Sequence, residues 1–101
     1  MKTTIEEKDG ALVASFEGRL DTASSFQTEK DLQPLKESIG KDIILDCTHL
    51  EYISSSGLRL FLGVLKSAKP NGSKVFLKGM NDNLKEVFIM TGFLSLFELK
   101  D

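Results

Sequence analysis

The sequence predicts an α/β fold: a single domain with a mixed sheet of four to five strands and helices, in the order β-β-α-β-α-β-α-β. Three observations carry that prediction. Asp9-Gly10 between two extended segments is a hairpin signal, Asp42-Ile43-Ile44-Leu45-Asp46-Cys47 is an apolar run of strand length, and apolar residues elsewhere recur at helical spacing. At 101 residues the chain has the size of one domain with one core. Its 41% hydrophobic and 28% charged residues are ordinary for a globular protein, and a formal charge of −2 gives no reason to propose nucleic acid or an anionic membrane as partner.

Residues 2–8 are extended in character, and after the Asp9-Gly10 turn the segment from Ala11 to Gly18 reads as a second strand with Leu12, Ala14 and Phe16 on one face. Asp21 or Thr22 can cap a first helix carrying Phe26, Leu32, Leu35 and Ile39, and Pro34 predicts a kink or break near Gln33. Gly40-Lys41 closes that helix. The run 42–47 follows as a central strand, expected to be covered on both faces, and a loop through His49, Glu51 and Tyr52 leads to Ser54-Ser55-Ser56-Gly57 at the start of a second helix. On that helix Leu58, Leu60, Phe61, Leu62, Val64, Leu65 and Ala68 cover an arc of about 200°, with Arg59, Gly63, Lys66, Ser67 and Lys69 opposite. So wide an arc leaves Leu60 and Val64 at its edge, either under a neighbouring helix or open to a partner. Pro70-Asn71-Gly72 is a turn and Lys74 to Lys78 a fourth strand. Gly79-Met80-Asn81 leads into a third helix with Leu84, Val87, Phe88 and Thr91 on one face, Gly92 ends it, and Ser95 to Leu99 is a last short strand.

Residues able to support catalysis are sparse. The N-terminus has no apolar h-region, and the longest apolar or glycine run, Leu60 to Leu65, is too short to span a bilayer, so a cytoplasmic chain without membrane insertion is expected. Cys47 is the only cysteine and reads as a small buried hydrophobe. His49 is the only histidine; Asp46, His49 and Ser55 lie on one short connection with no Gly-x-Ser-x-Gly elbow, which argues against a hydrolase triad. Cys47 and His49 are two ligands where zinc needs three or four, and no phosphate-binding glycine loop occurs. No catalytic residue, metal or cofactor is predicted. What remains is the serine cluster, whose hydroxyls can cap the helix or accept a phosphoryl group of about −1.5 to −2 charges at a helix end that tolerates it.

Gly18-Arg19-Leu20-Asp21, Ile43-Ile44-Leu45-Asp46, Tyr52-Ile53-Ser54-Ser55-Ser56-Gly57-Leu58 and the closing Thr91-Gly92-Phe93 with Leu96-Phe97 together resemble the STAS domain, named for sulfate transporters and anti-sigma factor antagonists. The likeness spans almost the whole chain. It implies a free-standing, non-enzymatic protein-binding switch that docks an anti-sigma factor, itself a serine kinase, and so releases a sigma factor and regulates transcription indirectly. Ser55 aligns with the family's phosphoacceptor, to be reset by a metal-dependent serine phosphatase, while Ser54 stands where the family's motif has aspartate. The docking surface then comprises Ser54, Ser55, Ser56 and Gly57 with His49, Glu51 and Tyr52 beside them, and Leu60 and Val64 on the helix edge. An alternative is a constitutive STAS adaptor, for example on a transport ATPase. A phosphoaspartate receiver with Asp46 as acceptor fits less well, because the chain opens with an antiparallel hairpin and lacks the acidic pair that holds magnesium.

Overall fold

The computed structural model describes residues 1–100. Strands β1 (Lys2–Lys8) and β2 (Ala11–Leu20) form the expected hairpin, with Asp9 (φ 52°) and Gly10 (φ 81°) both left-handed, as a tight two-residue turn requires. The chain continues through α1 (Thr22–Asp31), α2 (Gln33–Glu37), β3 (Ile43–Ile53), α3 (Ser55–Ala68), β4 (Val75–Lys78), α4 (Asp82–Met90) and β5 (Glu98–Lys100). Leu32 separates α1 from α2, with Pro34 in the first turn of α2, so the predicted break is present. The last predicted strand is divided: Leu94–Leu96 is a 3₁₀ turn, and pairing with β4 begins only at Glu98.

The five strands lie in sequence order, β1 antiparallel to β2 and every later pair parallel. Right-handed crossovers that always step the same way across a sheet put all their helices on one face. Side-chain burial follows: Ile43, Leu45 and Cys47 of β3 are buried under the helices, while Ile44 and Asp46 between them are only half-buried. The expectation of a central strand covered on both faces is therefore corrected; one face of this sheet carries no helix.

Between sheet and helices, Phe16, Phe61 and Phe88 are fully buried and stack in sequence, with ring centroids 5.2 Å apart for Phe16–Phe61 and 6.2 Å for Phe61–Phe88. Phe97 closes the row edge-on at 6.0 Å from Phe88. Two other expectations fail on α1 and α2. Phe26 is 70% exposed and Ile39 76% exposed. The face that α1 buries consists of Ser25, Thr28 and, just past its end, Leu32, spaced by three and four residues. The two hydroxyls are satisfied inside the helix, on Thr22 O at 2.7 Å and Ser24 O at 3.0 Å, so small polar residues can lie against the core. Phe26 is turned about 100° away from Ser25, and Ile39 lies past the end of α2, beyond the extended Ser38.

Candidate functional site

The site is built by the far end of β3, which is longer than the apolar run suggests. Pairing with β2 continues to Leu20↔Ile53, but the register slips twice: Ser15↔Asp46 is followed by Glu17↔His49, and Gly18↔Leu50 by Arg19↔Tyr52. Each slip adds one residue to β3, and such bulges re-aim the side chains around them. Consequently Leu50 and Ile53 enter the core while His49, Glu51 and Tyr52 face solvent. The predicted loop is a bulged strand. Asp46 secures the first bulge, its Oδ1 accepting from Thr48 N at 3.0 Å and from Thr48 Oγ1 at 2.6 Å. At the second, the Arg19 guanidinium lies 4.4 Å from the centre of the Tyr52 ring, a cation–π pair on the surface.

Ser54 joins strand to helix. Its N–H donates to Leu20 O at 2.8 Å, completing the β2–β3 pairing, and its Oγ accepts from Gly57 N at 3.2 Å, capping α3. The residue is 9% exposed. Gly57 is buried as well, and a Cβ there would come within 2.8 Å of Ile53 Cγ1 and of Leu20 Cγ, so the first turn of α3 rests directly on the ends of β2 and β3. Ser55, by contrast, is exposed at the first helical position, and Ser56 next to it is half-buried. The cluster thus divides its work: Ser54 is the cap, Gly57 the close contact, and Ser55 the hydroxyl offered to solvent.

α1 and α4 begin at the same end of the sheet, after the parallel strands β2 and β4. Asp21 caps α1 through a reciprocal pair, Ser24 N donating to Asp21 Oδ1 at 2.9 Å and Asp21 N donating to Ser24 Oγ at 3.0 Å. The backbone hydrogen bond from Ser24, and next its hydroxyl, hold the Asp21 carboxyl below its ordinary pKa. Asn81 caps α4 by accepting from Leu84 N at 2.8 Å.

The proposed contact residues fall into two groups. His49, Glu51, Tyr52 and Ser55 are exposed and continuous along the end of β3 and the start of α3, and Ser56 and Leu60 are half-buried beside them. Ser54 and Gly57 are buried, and Val64 is 0% exposed, a core residue facing away from any partner. Val64 is therefore corrected from edge to interior: α1 and α2 both lie against α3 and cover that side of its wide apolar arc. Cys47 is 1% exposed, and burial first, then the Asp46 charge, pushes its thiol up to about 12, which leaves it protonated and unreactive at neutral pH. Among the described residues no three His, Cys, Asp or Glu side chains converge as a metal site would need, and no helix is long and apolar enough to cross a membrane.

A sequence profile described as the STAS domain matches residues 2–101. BtrV of Bordetella bronchiseptica, provisionally named an anti-sigma factor antagonist, is 35% identical over 97 residues, covering 96% of this chain and 84% of that protein. An anti-sigma-B factor antagonist of Staphylococcus aureus is 29% identical over 84 residues, which are 83% of this chain and 78% of that protein. In fold, the chain is similar to an anti-sigma-factor antagonist (STAS) domain protein from Planctomyces limnophilus, with a TM-score of 0.89 at 17% identity over 98% of this chain and 88% of that one. It is also similar to SpoIIAA of Bacillus in its phosphorylated form, with a TM-score of 0.74 at 18% identity over 99% and 92% of the two chains.

Proposed function

The chain belongs to the STAS domain family, and from that premise we propose that it is an anti-sigma factor antagonist switched by phosphorylation of Ser55. In this reading the unmodified protein docks an anti-sigma factor that is also a serine kinase, using the exposed His49, Glu51, Tyr52 and Ser55 with the half-buried Ser56 beside them, and a sigma factor is released. The kinase transfers a phosphoryl group to Ser55, and a metal-dependent serine phosphatase removes it.

The observation that carries the reading is the division of roles at the start of α3: the Ser54 hydroxyl is committed to Gly57 N, whereas Ser55 is exposed one residue later. A phosphoryl group on Ser55 leaves that cap and the buried Gly57 contact in place, so the fold has no reason to rearrange. It puts a solvated dianion in the docking surface, where desolvation and repulsion oppose binding. The helix dipole tolerates the charge within the domain, and the partner loses affinity.

Ser54 favours a second reading. A serine caps as well as an aspartate, but a serine at this position lacks the fixed negative charge that the family motif places beside the acceptor. A constitutive adaptor, such as a subunit on a transport ATPase, has no need of that charge. Intact-mass and phosphopeptide measurements on the protein from its own cells, with binding assays on Ser55→Ala and Ser55→Asp, separate the two. The switch requires a single, condition-dependent phosphoryl group at Ser55, constitutive binding by Ser55→Ala and loss of binding by Ser55→Asp. Equal binding by both variants with no modification in any condition selects the adaptor.

A further inference from the structure

Phe26 is the large apolar side chain that α1 leaves uncovered, 70% exposed, and it forms one wall of a groove of about 320 Å³ between α1 and α3. Leu60, half-buried, lies across from it; Ser56 and Arg59 line the α3 side, and Glu29 and Lys36 contribute charges at the rim. A single exposed apolar residue needs no function. Here, however, the exposed ring borders a groove whose other wall includes Ser56, the neighbour of Ser55.

We propose that this groove is the second half of the docking surface for the same anti-sigma factor, which inserts an apolar side chain between Phe26 and Leu60 and places a carboxylate on Arg59. The proposal rests on the reading of Ser55 as the docking site. Its occupant follows from continuity and from size. A partner that covers Ser55 already reaches Ser56 in the groove wall, and a stable interface takes about 20–30 residues on each side, whereas His49, Glu51, Tyr52, Ser55 and Ser56 are a small fraction of that. His49, Glu51 and Tyr52 offer a polar surface next to Ser55, and the Phe26 groove, which reaches Ser56, supplies the apolar centre that binding hot spots need. Two cations, Arg59 and Lys36, against one carboxylate, Glu29, leave the rim net positive, which favours an acidic group on the partner.

The test uses purified anti-sigma factor kinases encoded in the same genome as the probe, with binding to the parent, Phe26→Ala, Arg59→Glu and Ser55→Asp followed by biolayer interferometry. Phe26 and Arg59 are exposed, so thermal unfolding of both variants should match the parent; Arg59→Glu carries the test if Phe26→Ala does not fold. The expected result is at least a tenfold rise in Kd for Phe26→Ala and for Arg59→Glu, the former through faster dissociation. Affinities within twofold of the parent for both, while Ser55→Asp abolishes binding, would overturn the groove and leave the switch intact. Groove variants that weaken binding while Ser55→Asp does not would support the groove and remove the switch. If the parent binds none of the kinases, both ideas fall.

Discussion

At the scale of single residues, neighbouring serines have separate physical roles that a motif cannot distinguish. Ser54 Oγ caps α3 by accepting from Gly57 N, so Ser54→Ala should lower stability by about 1 kcal/mol, whereas Ser54→Asp, which supplies an equivalent acceptor, should stay close to the parent. Urea unfolding monitored by circular dichroism measures both. Ser55→Ala removes an exposed hydroxyl outside the cap and should leave the midpoint unchanged, so a large loss there would contradict the assignment of roles. Gly57 is a different constraint: a methyl group at this position collides with Ile53 and Leu20, and Gly57→Ala should cost about 1–3 kcal/mol by overpacking. Spacing alone identified the four residues as a unit, but burial determines which of them can meet a partner.

At the scale of elements, the hairpin, the apolar segment of β3, the start of α3 and the end of α4 at Gly92 were all legible, because each has a local signal in turn chemistry, β-propensity or a cap. The second half of β3 was hidden for a physical reason. Two bulges break the alternation of period two, so Leu50 and Ile53 fall three residues apart with polar residues between them, a pattern that looks like a loop. The inward face of α1 was hidden because serine and threonine fill it and Phe26 does not. The cap of α1 was visible, and it carries a pH dependence. Hydrogen bonds from Ser24 hold the folded pKa of Asp21 below its ordinary 3.8, so its stabilisation is complete above the unfolded value and is lost as pH falls through the folded one. The stability difference between the parent and Asp21→Asn should accordingly be constant above about pH 5 and shrink below about pH 4. Thermal unfolding across that range checks the sign; a difference that grows on acidification would refute it.

At the scale of the whole molecule, all the helices lie on one face of the sheet, and this one-sidedness follows from the topology more than from the composition of any strand. Every parallel step from β2 to β5 moves to the next position in the same direction, so no crossover can reach the other face. The run Ile43-Ile44-Leu45 looks symmetrical in sequence but is divided by the sheet: Leu45 is 0% exposed beneath the helices, whereas Ile44 is half-buried on the helix-free face among Val13, Asp46, Phe76 and Lys78. Ser55, the proposed phosphoacceptor, stands in contrast at the end of the sheet where α1, α3 and α4 begin, away from that open face, so the proposed function does not require the open face to be covered. Two neighbouring truncations test the architecture directly. Leu45→Ala opens a cavity in the core and should cost about 2–5 kcal/mol, while Ile44→Ala removes surface that water already reaches and should cost about half as much or less. Denaturant midpoints at unchanged m-value would show the asymmetry; equal losses at the two positions would mean that both faces of β3 are covered in solution, as by a second layer on the open face.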